Sequence, residues 1–215
     1  MTMPLSSIAD RRIARGLTLV EMMVALVVLS IGLLGVAGLQ ASTTKYRINT
    51  MARASMTGLV FDLSERIRVN ADSAGANFLQ PGTEKDDSLY VIASDWATQQ
   101  TESITTNKNC VTDICTTAER ADYDVKIWRQ KLRDSIPQGA AMLSGDRRTG
   151  VLLTLMWFDK ELTDKATASD GTSTITLKKA PVCNAQQTGM AQQSCCPEEA
   201  KAPEGVRCSR FSFVP

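Results

Sequence analysis

The architecture of the chain turns on residues 15–44, RGLTLVEMMVALVVLSIGLLGVAGLQASTT. From Leu17 to Leu39 only Thr18, Glu21 and Ser30 are clearly polar, and no charge occurs from Met22 to Thr44. At about 1.5 Å rise per residue, these 44 − 22 + 1 = 23 residues make a helix of roughly 34 Å, enough to span the hydrocarbon core of a bilayer. Asp10, Arg11, Arg12, Arg15 and Gly16 precede the run, and positive charge on that side keeps the end cytoplasmic. The run is too long for the apolar core of a secretory signal, and Leu39-Gln40-Ala41 is a poor signal-peptidase site. A plain signal anchor accounts for the length and the arginines. It does not account for Glu21, because a carboxylate inside a membrane span is costly and is read as functional.

The helix continues past the span. Beyond Lys45, Ile48, Ala52, Met56, Leu59, Leu63 and Ile67 recur at three- or four-residue steps among Arg47, Arg53, Asp62, Glu65, Arg66 and Arg68. One helix is expected from Leu17 to Val69, with a first half in lipid or a filament core and a second half carrying a head on its apolar stripe. Gly32, Gly35 and Gly38 fit either close helix packing in a membrane or a helix that stretches locally during assembly.

Composition narrows the functions. The 215 residues carry 24 Lys+Arg, 23 Asp+Glu, six Cys and no His. The length fits one domain with an appendage. A net charge of +1 argues against a nucleic-acid binder. Without histidine there is no Ser-His-Asp or Cys-His site and no His-containing zinc site. All six cysteines (Cys110, Cys115, Cys183, Cys195, Cys196, Cys208) lie beyond the span, as disulfides in an oxidising compartment would. No C-x-x-C hook is present, which argues against an all-Cys metal site, and no cofactor is expected.

In the head, Asn70 to Asp87 reads as a loop and Leu89 to Ala93 as a short strand, and Thr101 to Asp113 reads as irregular. Thr116-x-x-Glu119 reads as a capping box. It opens a helix whose face is Ala118, Ala121, Val125, Trp128, Leu132 and Ile136, ended by Pro137 and Gly139. Arg147 to Gly150 reads as a turn. Val151–Trp157, Thr172–Leu177 (after an Asp170-Gly171 turn) and Arg207–Val214 read as strands, the last with Phe211 and Phe213 on one side. The order implies an α+β head with an antiparallel sheet packed on the long helix. Pro181 to Pro203, rich in Gln, Ala and Pro, is expected to need staples in place of a packed element. Adjacent Cys195 and Cys196 do not bridge each other readily. If Cys110 pairs with Cys115, then Cys183 and Cys208 take one each of them, in either assignment. No catalytic residues are identified: Asp86-Asp87 and Asp122/Asp124 read as solvated acids. The basic pairs Arg66/Arg68 and Arg147/Arg148 read as ordinary surface or packing charge.

Arg15-Gly16-Leu17-Thr18-Leu19-Val20-Glu21 resembles the cleavage motif of type IV pilins, a basic leader ending in Gly. The resemblance implies that a prepilin peptidase cuts between Gly16 and Leu17 and methylates the new amine of Leu17. Glu21 would then pair with the N-terminal amine of a neighbouring subunit. Further matches narrow it: Leu29-Ser30-Ile31-Gly32-Leu33-Leu34-Gly35, Ala37-Gly38-Leu39-Gln40, Ser64-Glu65-Arg66-Ile67-Arg68-Val69-Asn70, the spaced Cys110 and Cys115, Asp124, Trp128 to Leu132, Ile136-Pro137 and Gly139, and Val151 to Asp159. From Arg11 to about Asp159 the chain resembles the PilV family of minor type IV pilins.

That resemblance implies a leader at 1–16, a transmembrane or filament-core half-helix at 17–44, an amphipathic half at 45–70 and an α/β head at 71–215. It also implies a type IV pilin-like fold. The implied role is a non-enzymatic minor pilin in a pilus-tip complex that primes assembly and supports adhesion and twitching motility. Implied partners are FimU-, PilW-, PilX- and PilE-like minor pilins, the major pilin, a tip adhesin and prepilin peptidase. The implied places are the inner membrane with the head in the periplasm, then the pilus tip at the cell surface. The alternatives are a pseudopilin of a type II secretion system and a ligand-binding module, adhesin or DNA receptor, shown on the filament. The leader carries three Arg and one Asp, so a cleaved chain has 24 − 3 = 21 basic and 23 − 1 = 22 acidic residues, a net charge of −1.

Overall fold

The computed structural model describes residues 18–75, 88–167 and 171–215. Gly16, Leu17, Asp86, Asp87 and Asp170 lie outside the described residues, as do the side chains of Ile48 and Ala52. The chain divides into two units, residues 1–47 and 48–215, and the boundary falls inside α1, Leu19–Val69.

The described part of the first unit is helix from Leu19 onward, without a proline to interrupt it. The segment Leu19–Thr44 is long and apolar enough to cross a membrane, and none of it is buried.

The second unit is built around the apolar stripe of α1. Met56, Leu59, Leu63 and Ile67 are buried there, at the periodicity of one helix face. A short 3₁₀ turn, Ala71–Ser73, follows. Leu89–Ala93 does not form the expected strand. Tyr90 and Ile92 are buried as a strand would bury them, but only Ile92 pairs, through both its backbone groups, with Leu143. The chain turns away because Asp95 caps a further helix, α2 (Trp96–Thr101), by accepting from the Thr98 N–H at 2.9 Å.

α3, Thr117–Ser135, begins at the capping box. The Thr116 hydroxyl accepts from the Glu119 N–H at 3.2 Å, and the Glu119 carboxylate accepts from the Thr116 N–H at 2.8 Å. Ala121, Trp128, Leu132 and Ile136 are buried and Val125 is partly so, whereas Ala118 is exposed in the first turn. Trp128 is fully buried, and its indole N–H donates to the Leu59 carbonyl of α1 at 2.8 Å. Gly139 follows because a Cβ there would come within 2.8 Å of the Leu132 carbonyl oxygen.

Among the described residues the main sheet has three antiparallel strands in the order β1 (Ala140–Asp146), β2 (Gly150–Phe158), β5 (Val206–Phe213). Leu143 lies opposite Leu153, and Leu153 opposite Phe211. β2 is central and covered on both sides, which explains an apolar run interrupted only by the buried Thr154. The turn at Arg147–Gly150 is held by the Asp146 carboxylate, which accepts from the N–H groups of Arg148 and Thr149. These two bonds, that from Thr149 foremost, hold the Asp146 carboxyl below its ordinary pKa. Thr172–Leu177 does not join this sheet. Its strand, β4 (Ser173–Leu177), pairs with β3 (Thr163–Thr167) in a separate and largely exposed hairpin.

One face of the sheet closes on α1 and α3 through Leu143, Val151, Leu153, Leu155 and Trp157. The other face, with Ala140, Met156, Val206 and Cys208, closes on Trp96, Ala180, Cys196, Ala200 and Ala202. Pro181–Pro203 buries only Cys195, Cys196, Ala200 and Ala202, and the rest of the segment is exposed or half-buried. The segment includes α4 (Met190–Ser194) and a 3₁₀ turn, Glu198–Ala200. Disulfides join Cys110 to Cys115, Cys183 to Cys195 and Cys196 to Cys208. The last ties this segment to β5.

Candidate assembly site

In the first unit, Glu21 stands in the first turn of α1 with its side chain exposed. Its N–H donates to the Thr18 hydroxyl at 3.3 Å, so Thr18 serves as a cap. A carboxylate in that turn is favoured by the positive end of the helix dipole. Three other hydroxyls of the span bond back to the helix itself. Ser30 donates to the Leu26 carbonyl at 2.6 Å, and Thr43 and Thr44 donate to that of Gln40. Their polarity is satisfied without an external partner, as an apolar environment requires. A Cβ at Gly32, Gly35 or Gly38 would meet nothing within 4 Å, so packing among the described residues does not require glycine there. The result is an apolar surface with one carboxylate at its start, which lipid or other subunits must cover.

In the second unit, a polar cluster joins the end of α1 to α3. Asp124 is only 4% exposed. It accepts from Arg66 Nη1 at 2.9 Å and from the Tyr90 hydroxyl at 3.1 Å. Arg66 also donates from Nε to Asp62 at 3.2 Å, and Asn70 Nδ2 reaches the Tyr90 oxygen and the Thr117 carbonyl. Burial, reinforced by the charge of Asp124 and opposed by the Asn70 bond, pushes the Tyr90 hydroxyl well above its ordinary pKa. Donors and acceptors are mutually satisfied, so the cluster is a lock between helices. The cleft above it, about 470 Å3, adds Glu65, Thr116 and Arg120 to its lining.

The structure corrects the reading of Asp122/Asp124 as solvated acids. Asp122 pairs with Lys126 at the surface, but Asp124 is buried. Its position foretold this: it stands three residues after Ala121 and four before Trp128, on the same buried face. Arg66 is a packing charge, Arg68 pairs with Glu65, and Arg147 and Arg148 lie in the β1–β2 turn. Among the described residues, no group of three metal-binding side chains gathers.

Sequence reasoning also passed over Gln99. Its amide is buried, donates to the Ala141 carbonyl at 2.8 Å and accepts from the Ala141 N–H at 3.1 Å. It therefore fills the place of a neighbouring strand beside β1. Arg133 of α3 donates to the carbonyls of Gln99 and Glu102 at the end of α2, and Arg129 pairs with the Glu102 carboxylate at 2.6 Å. Nothing in the local pattern announces these contacts, since each joins distant segments.

Residues 11–37 match the family model of the prokaryotic N-terminal methylation motif. No curated protein and no solved structure matches the chain. The motif supports a type IV pilin- or pseudopilin-type protein, a structural class. It implies processing by prepilin peptidase and assembly with other pilins, and with the apolar helix it suggests membrane anchoring. The long apolar helix followed by a small α+β domain with an antiparallel sheet is consistent with the type IV pilin fold.

Proposed function

We propose that the chain is a minor type IV pilin of the PilV kind. It is made with a leader at residues 1–16, cut between Gly16 and Leu17 and methylated at Leu17. The observation that carries this reading is the methylation motif over residues 11–37, with Glu21 at the mouth of the apolar helix. Once the leader is gone, the positive amine of Leu17 in one subunit meets Glu21 of a neighbour. Two charges buried among apolar helices are tolerable only as a pair, so the pairing sets the register of assembly. Other minor pilins then join it in a tip complex that primes pilus growth, presents an adhesin and supports twitching motility.

Mass spectrometry of the N-terminal peptide tests the processing. The expected product starts at a methylated Leu17. A membrane protein retaining Met1, or one cut elsewhere, overturns the reading. The same motif also serves pseudopilins of type II secretion. Deletion separates the two, because loss of surface pili with normal secretion supports the pilin reading and the reverse supports the pseudopilin.

A further inference from the structure

The two outer edges of the three-stranded sheet are treated differently. On β1, the backbone groups of Ala141 are taken by the Gln99 amide and those of Leu143 by Ile92. On β5, alternate residues direct their N–H and C=O groups away from β2. Among the described residues, none makes a backbone hydrogen bond to Ser209–Phe213 on that outer side. No strand occupies this edge, although α4 packs against β5, and an edge without a strand partner is a template for another strand.

A cleft of about 600 Å3 runs along this edge. Val60 of α1 and Phe211 line it from the helical side of the sheet, and Gln192 and Gln193 of α4 from the other. Arg210 lines it too. Its Nε is buried without a hydrogen-bond partner. Its Nη1 donates to the Gln192 carbonyl at 3.3 Å and lies against the sulfurs of Cys183 and Cys195 at 3.4 and 3.5 Å. No carboxylate among the described residues pairs with this guanidinium. Arg207, on the same strand, has Asp159 at 2.8 Å.

We propose that the outer edge of β5, Ser209 to Phe213, takes an extended segment of another protein as an added strand, with a carboxylate of that segment pairing with Arg210. Main-chain bonds to the open edge supply the affinity, and the guanidinium selects the acidic residue and its register. The cleft suits an extended chain because residues on both faces of β5 line it, Ser209 and Phe211 on one and Arg210 and Ser212 on the other, with Leu152 of β2 beside them. A second copy of β5 does not fit: Val206–Phe213 brings Arg207 and Arg210 but no acid. The inference does not depend on the filament reading, and its test needs neither processing nor pili.

The test uses the full chain in detergent and synthetic peptides of alternating threonine and valine with one central glutamate. The expected result is at least tenfold tighter binding than for the same peptide with glutamine, and slowed amide exchange at Ser209–Phe213. A version with prolines at alternate positions does not bind, because it lacks the donors for a strand. Arg210→Gln removes the preference for glutamate over glutamine and leaves residual binding. Equal binding of the glutamate and glutamine peptides to the unaltered protein overturns the proposal, as does unchanged exchange at Ser209–Phe213 with millimolar peptide. The comparison on the unaltered protein stands even if Arg210→Gln fails to fold.

Discussion

The two faces of the sheet are closed by different means. The helical face is filled by large side chains: Leu63 and Ile67 of α1, Trp128 and Leu132 of α3, and Leu153 and Leu155 of β2. The opposite face has Trp96, Met156 and Val206, and otherwise mostly Ala140, Ala180, Ala200, Ala202 and half-cystines. Burial stabilises by roughly 0.8 kcal/mol per methylene, so an alanine-rich layer contributes much less than a leucine-rich one. Covalent links take the place of the missing apolar area. Cys183–Cys195 closes the segment on itself and Cys196–Cys208 fastens it to the sheet. The difference shows one small domain using packing where its sequence supplies bulk and cross-links where it does not.

The strongest attempt to break this contrast is Trp128→Ala. It removes the largest fully buried side chain among the described residues and its bond to the Leu59 carbonyl. A loss of about 3–5 kcal/mol is expected, read as a lower urea midpoint. A loss below about 1 kcal/mol would show that the helical face does not depend on packing.

Next in size is Cys196→Ser with Cys208→Ser. Opening this link, whose ends are 12 residues apart, should cost about 2–4 kcal/mol. Amide exchange should rise first over Pro181–Pro203 and β5, with Trp128 and Leu132 still protected. Equal loosening of both faces would sink the division of labour.

Thr116→Ala sharpens the contrast at the start of α3. It removes one half of the capping box and should cost about 1 kcal/mol, with fraying confined to the first turn in exchange measurements.

The smallest effect is that of acid. The backbone N–H of Thr116 and then Lys108 hold the Glu119 carboxyl below its ordinary range, and Arg129 does the same for Glu102. A carboxylate with a depressed folded-state pKa adds stability above its unfolded value, about 4.3 for glutamate, and loses it as pH falls through the folded value. The melting temperature should therefore be level above about pH 5 and fall below about pH 4. The fall should be smaller in Glu119→Gln, and an identical acid profile in that variant would remove Glu119 from the account.

Legibility followed the range of the forces involved. The capping box, the buried face of α3, the apolar stripe of α1 and the strands β2 and β5 are all written in residues a few positions apart. β1 was not legible. Ala140-Ala141-Met142-Leu143 has no β-branched residue, and it becomes a strand because β2 pairs along one side while Gln99 and Ile92 pair along the other. α2 is too short to show periodicity, and only its Asp95 cap marks it. β4 looked like part of the main sheet because alternation reveals a strand but not its neighbour. At the candidate assembly site, Glu21 stood out because a charge in an apolar run is conspicuous in one dimension. Tyr90, Asn70 and Asp124 did not, because their meeting spans tens of positions.

The sequence alone determined the basic stretch before the apolar run, the apolar span with its one carboxylate, the capped start of α3 and the apolar runs of β2 and β5. Each depends on composition or on spacing within a turn or two. Only the tertiary structure decided which cysteines pair, that Asp124 is buried against Arg66 and Tyr90, and that one sheet edge is closed while the other is open. These outcomes depend on which distant segments come into contact, and hydrogen bonds, disulfides and desolvation act only across contacts.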